Sequence, residues 1–241
     1  MFQHKINDTA SFKTYFDWFI LSFLAGSINT GGYLSCHRFV SHITGFATLA
    51  GISFERLNLL EAFGTLTIPL FFVAGVMASA YFEKKYAHKL HGQKYSPVMG
   101  LVSILLGTVA LGGSLNWFGQ FGDSAQIKND FILLACLCGA CGLLNGAITS
   151  ASGFTIRTTH LTGLATDLGL GLVRVNLDSL TNEQKSLENR ANLLRIGTIF
   201  SFILGSFVGA FIFMRLQYKG FIFPMALSIY FSYVAYRAQA Q

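Results

Sequence analysis

The sequence predicts an all-α polytopic membrane protein of about six transmembrane helices, built as two inverted three-span repeats. Apolar residues make up 52% of the 241 and charged residues 12%, with a mean hydropathy of +0.51, far from the averages of a soluble domain. A bilayer core roughly 30 Å thick takes about 20 mostly apolar residues per helix, and six stretches reach or approach that length. A polar motif also occurs twice. Ser41-His42-Ile43-Thr44-Gly45, with Ala47, Thr48 and Gly51 after it, matches Thr159-His160-Leu161-Thr162-Gly163, with Ala165, Thr166 and Gly169 after it.

Residues 1–15 are polar and mildly basic and read as a tail. The first span covers about 16–35, and its small and polar end, Ala25-Gly26-Ser27-Ile28-Asn29-Thr30-Gly31-Gly32, argues for packing against protein rather than lipid. Lys5 and Lys13 ahead of this apolar run, with Ala25-Gly26-Ser27 after it, resemble a signal peptide. Gly26 and Asn29 recur in the second half, however, so the segment belongs to the repeat and is expected to be retained. The first motif segment, 40–54, is too short to cross and reads as a re-entrant segment or half-helix.

The second span, about 58–82, carries Pro69 and the small pair Gly75 and Ser79. His88 and His91 follow in the most basic segment and read as a solvated loop, since no carboxylate or cysteine is placed to complete a metal site. The third span covers about 97–117. The fourth, about 131–150, repeats the first, Cys141-Gly142-Leu143-Leu144-Asn145 aligning with Ala25-Gly26-Ser27-Ile28-Asn29. The second motif segment is 157–173. Arg174 to Arg190 is polar, with Leu177, Leu180 and Leu187 placed to lie on a membrane surface. The fifth span, about 192–216, carries Gly205 and Gly209, which line up with Gly75 and Ser79, and the sixth covers about 219–237.

These matched landmarks divide one membrane domain, 1–241, into repeats at 1–120 and 121–241. An odd number of spans per repeat inverts the second relative to the first. Charge placement favours this arrangement. With the N-terminus inside, twelve of the seventeen Lys and Arg fall in inner segments, and only Arg38, Arg56, Lys128, Arg215 and Lys219 fall in outer ones. Eight full spans would split the seventeen almost evenly, so six spans satisfy the positive-inside rule with both termini cytoplasmic. A seven-span variant, in which one motif segment crosses, stays open.

The same distribution explains the net charge of +6 without a nucleic-acid partner. The four cysteines, Cys36, Cys136, Cys138 and Cys141, lie in or beside apolar spans and read as small residues at helix contacts, not as a disulfide framework or metal site. No metal and no cofactor is expected.

At the motif pair the chain resembles the YoaK family of uncharacterised bacterial integral membrane proteins. The resemblance rests on Ala25-Gly26 with Asn29, on Ser41 to Gly45, and above all on Arg157-Thr158-Thr159-His160-Leu161-Thr162-Gly163 with Asp167-Leu168-Gly169. It covers nearly the whole chain and implies a multispanning protein of the bacterial inner membrane, with no established activity, cofactor or substrate. One departure is Phe46, where such proteins usually have Asn.

In an inverted repeat the two motif segments enter from opposite faces and meet near the midplane, where transporters place binding sites. Ser41 and Thr159 are suitable N-caps, leaving the positive helix ends near His42 and His160 to attract anions or polar groups. Thr44 and Thr162 would supply hydroxyls, and Gly45 and Gly163 would allow close backbone approach. Asp167, whose counterpart is Leu49, is a candidate for coupling or proton relay with Arg157, because an ionisable group inside a membrane costs at least about 2.5 kcal/mol. The competing reading pairs Asp167 with Arg157 or Arg174 at the interface. Asn29 and Asn145 are expected to support the site as interhelical hydrogen-bonders.

The leading expectation is a transporter or channel for a small polar solute, with anions among the candidates. A structural or assembly partner is the alternative, its lipid-facing contact with a second copy supplied by Gly75, Ser79, Gly205 and Gly209. A membrane-embedded hydrolase-type enzyme using His160 and Asp167 is less favoured, because no nucleophile motif, HExxH pair or cofactor fingerprint occurs. The chain is therefore read as not an enzyme.

Overall fold

A computed structural model describes residues 12–86, 95–123, 126–152, 157–176 and 181–237. Among them the protein is all-helical: α1 (Phe12–Cys36), α2 (Ile43–Glu55), α3 (Leu59–Lys85), α4 (Ser96–Ser114), α5 (Ile127–Ala151), α6 (Leu161–Val175), α7 (Asn182–Leu216) and α8 (Ile222–Arg237), with a 3-10 turn over Gln217–Phe221 between the last two. His88, His91, Leu177 and Leu180 lie outside the described residues.

Among the described residues four stretches are long and apolar enough to cross a membrane: α3, α4, α5, and the run Asn182–Arg237 that contains α7 and α8. Their outward faces are apolar as well. Phe63, Leu66, Leu70, Val73 and Met77 of α3 are exposed, as are Phe200, Leu204, Phe207, Phe211 and Met214 of α7. Soluble monomers rarely expose apolar stripes of this extent, whereas lipid-facing helices require them.

Helix starts and stops follow local chemistry. Asn58 caps α3 by accepting from the Glu61 N–H at 3.2 Å. Pro97 sits in the first turn of α4, where its missing N–H costs nothing. Thr181 and Gln184 form a reciprocal capping box at the start of α7, which fixes helix onset at Asn182. The polar stretch before the fifth span, expected to lie on the membrane surface, is therefore continuous with α7 from Asn182 onward.

His37, Leu57, Asn116 and Gln217 have positive φ and end α1, α2, α4 and α7. Leu57 sits at φ 57 with 84% of its surface exposed. A non-glycine residue there costs roughly 1–2 kcal/mol, so Leu57→Gly should raise stability by about 1 kcal/mol, seen as a higher Tm in detergent.

The core forms where glycines let backbones touch. A Cβ at Gly142 of α5 would collide with the Phe72 carbonyl of α3, and one at Gly75 would collide with the Gly139 carbonyl. The α1–α7 pair repeats this with equivalent residues, since Gly26 meets the Phe202 carbonyl and Gly205 meets the Phe23 carbonyl. Gly209 abuts Ser27, and Gly146 abuts Ser79. The small-residue ladders expected to face a second copy are thus covered inside the chain, with Gly75, Ser79, Gly205 and Gly209 all buried. Helices α4 and α8 also pack together, tied by Ser96 and Ser232, each of whose hydroxyls donates to the other's carbonyl at 2.9 Å.

Polar contacts sort the connections to two ends of the bundle. At one end the His37 ring is 2.8 Å from the Gly122 carbonyl, the Tyr218 hydroxyl donates to the Gly119 carbonyl at 2.9 Å, and Glu61 accepts from the Ile127 N–H at 3.2 Å. Arg38 lies 4.0 Å from Glu61 there. At the other end Ser150 donates to Glu83, and Tyr15, Trp18 and Phe19 pack on Ile148 and Leu194.

Candidate functional site

The first motif segment leaves α1, runs back alongside it, and then turns into the short helix α2; the second ends in the short helix α6. After α1, residues 37–42 return to Asn29, whose Oδ1 accepts from both the Ser41 N–H at 3.3 Å and the Ser41 hydroxyl at 2.9 Å. The Val40 carbonyl accepts from the Cys138 thiol at 3.0 Å, which fixes this return path against α5. Helix α2 then packs on α3 and α6 on α7. In α6 the packing face is a helical stripe, with Leu164 and Gly171 buried and Leu161 and Leu168 half-buried.

The N-caps fall one residue later than expected, on His42 and His160, and neither side chain caps its helix. Ser41 and Thr159 are buried instead. The reason for Ser41 is tertiary: its hydroxyl is committed to Asn29 and cannot serve the α2 amides. Both helix starts therefore keep first-turn N–H groups without a side-chain acceptor. The two histidines are exposed, and His160 lies close enough to Arg157 and His42 to feel their charges.

The two halves differ in one respect. The counterparts of Asn29 and Ser41 are Asn145 and Thr159, yet the Asn145 Oδ1 and Thr159 Oγ1 are buried without a partner. The Thr149 and Thr158 hydroxyls are in the same condition. Beside them a cavity of about 240 Å³ is lined by Val76, Ala80, Asn145, Gly146, Thr149, Ser150, Arg157 and His160. Removing two buried hydrogen bonds costs more than removing none, so Asn29→Ala should destabilise by about 1–3 kcal/mol more than Asn145→Ala in parallel thermal unfolding.

Thr44 and Thr162 are exposed on the first turns, and their carbonyls accept from Thr48 and Thr166 at 3.1 and 2.9 Å. No other backbone approaches Gly45 or Gly163: an added Cβ would meet only His42 and His160, at 3.9 and 3.8 Å. Asp167 is exposed on α6 and pairs with neither Arg157 nor Arg174. Arg174 instead lies 3.9 Å from Glu188. The structure thus gathers Arg157, His160 and Asn145 around one cavity and leaves Asp167 outside its lining. Phe46 is a core residue 3% exposed.

Sequence reasoning missed Thr149, Ser150 and Glu83. Thr149 was detectable, because it stands four residues after Asn145 and so shares its helix face. It also missed a buried cluster in α7, where the Arg195 Nη1 donates to Glu188 at 2.8 Å and to Asn192 at 2.6 Å. Gly171 of α6 sits directly over this cluster, and a side chain there would strike all three residues. Among the described residues no group of His, Cys, Asp and Glu is placed to hold a metal ion. The cysteines are free, with Cys36, Cys138 and Cys141 buried.

No curated protein and no solved structure matches the chain. A family model described as "Protein of unknown function (DUF1275)" matches residues 18–234. Spanning nearly all the helical bundle, that match agrees with the resemblance carried by the motif pair, and the chain belongs to this family of uncharacterised membrane-type helical proteins.

Proposed function

We propose that the protein is a transporter or channel for a small polar solute in the bacterial inner membrane. Six spans, α1, α3, α4, α5, α7 and α8, form two inverted repeats with cytoplasmic termini, and α2 and α6 are re-entrant half-helices whose N-terminal ends meet near the midplane. Equivalent glycine contacts in the α1–α7 and α3–α5 pairs support the duplication. The arrival of the two motif segments from different ends of the bundle supports the inversion.

The observation that carries the functional reading is the pair of matching helix starts at His42 and His160. Their first-turn amides lack side-chain caps, and a cavity lies beside His160. Helix N-termini of this kind favour anions and polar groups, and broken helices near the midplane are a recurring transporter device. No covalent chemistry is assigned to the site.

The test is uptake into proteoliposomes containing the purified protein, against a panel of small anions and metabolites. At least one solute should enter faster than into protein-free vesicles, and the rate should depend on His42 and His160. Equal entry with and without protein across the panel would reject the reading in favour of a structural or assembly role.

A further inference from the structure

We infer that the groove between α4 and α8 holds one anionic phospholipid of the surrounding bilayer, with an acyl chain along its floor and the phosphate beside Arg237. This needs α4 and α8 to lie in a membrane and does not depend on the transport reading.

The groove has a volume of about 620 Å³ and is lined from both helices. Its direction follows from their antiparallel pairing. Ser96 bonds Ser232 at one end, beside Tyr236, and Gly107 faces the Met225 sulfur at the other. From Ser96 to Gly107 is about 16 Å of helix, close to half of the roughly 30 Å hydrocarbon core, which is the depth of one leaflet. Spread over that length, the volume leaves a cross-section of about 40 Å², half that of a helix about 10 Å across. An extended hydrocarbon chain enters such a groove, whereas a helix of a second copy could lay only side chains in it.

The floor is apolar. Glycine at position 100 leaves it open, since an added Cβ would meet only the Ser232 hydroxyl, at 3.7 Å. Three serines line it, but their protons are spent inside the protein. Ser96 and Ser232 donate to each other's carbonyls, and Ser103 donates to the Met99 carbonyl at 2.8 Å. Ile104 and Ile229 flank the floor and are exposed. A concave apolar surface of this kind takes hydrocarbon in preference to a polar solute.

Polar groups mark the Ser96 end. Tyr233 and Tyr236 line the groove there, and the Arg237 guanidinium lies 4.9 Å from the Tyr233 ring centre. Aromatic and basic residues at a helix end sit at headgroup level. Glu83, within electrostatic reach of Tyr95 at the start of α4, is bonded to Ser150 on α5 and does not line the groove. Lys84 and Lys85 follow it in α3. A cation at the mouth of an apolar groove matches a phosphate above its own acyl chain, and a zwitterionic headgroup would bring a second cation to the same place.

The full chain, purified and delipidated in detergent, is offered equal amounts of phosphatidylglycerol and phosphatidylcholine with identical acyl chains, and retained lipid is counted by native mass spectrometry. One phosphatidylglycerol per chain should be retained, about fivefold in preference to phosphatidylcholine, the worth of one basic residue near a headgroup. Arg237→Gln should bring that preference towards one. Gly100→Leu has room for its side chain in the groove, and Gly107→Leu displaces only the flexible Met225, so both should lose the retained lipid. Gly169→Leu on α6, where a Cβ meets nothing within 4 Å, should keep it.

No retained lipid, equal retention of the two lipids, a preference unchanged in folded Arg237→Gln, or full retention in folded Gly100→Leu and Gly107→Leu would overturn the assignment. So would a chain that is dimeric without lipid and monomeric as Gly100→Leu, which would give the groove to a second copy.

Discussion

Valine at Gly142 is expected to separate α3 from α5 and leave most of the protein misfolded. The added Cβ would occupy the position of the Phe72 carbonyl, and a backbone carbonyl inside a helix cannot swing away as a side chain can. Relief requires a shift of the whole helix, which would also strip the contacts of Gly75 with Gly139 and of Gly146 with Ser79. Overpacking in a well-filled core costs about 1–3 kcal/mol and occasionally more, and the loss of a shared helix interface places this substitution at or above the top of that range. Gly205→Val should act equally on the α1–α7 pair, where the obstacle is the Phe23 carbonyl. Size-exclusion profiles and thermal unfolding in detergent check both. Gly51→Val and Gly169→Val provide controls, since nothing lies within 4 Å of a Cβ at either position, and both should remain monodisperse.

The second large effect is functional. His42→Ala and His160→Ala should each reduce solute uptake at least about tenfold, equivalent to about 1.4 kcal/mol of lost stabilisation, while folding normally. The histidines are exposed and end their helices without capping them, so removing either ring sacrifices no buried contact or cap. On the proposed reading, what is lost is a polar group beside a positive helix end that attracts the solute. If both variants fold and transport like wild type, the histidines are bystanders.

Much of this architecture was legible from residue type and spacing. The GxxxG-like ladders announced close helix contacts, and Gly26 and Gly142 announced that the contacts occur twice. A ladder of small residues states that a backbone approaches, however, without naming whose. The approach proved to be within the chain, where Gly75, Ser79, Gly205 and Gly209 are buried. The caps were misplaced by one residue for a similar reason. Ser41 has a good cap side chain, but Asn29 on another helix takes its hydroxyl, and local sequence cannot register that competition. Arg195, Asn192 and Glu188 were readable as one helix face by their spacing, yet their burial depends on Gly171 of α6. Asp167 attracted attention by its charge and by its counterpart being Leu49, and the cavity around Arg157 and His160 does not include it in its lining.

The central claim is that two motif segments, threaded from opposite faces of the membrane, meet at one site. With the four cysteines replaced by alanine, His42→Cys and His160→Cys in the same chain should be joined by a short bis-maleimide into an intramolecular crosslink. The joined product should run as a monomer and lose uptake. Efficient labelling of each single cysteine with no crosslink in the double variant would contradict the claim.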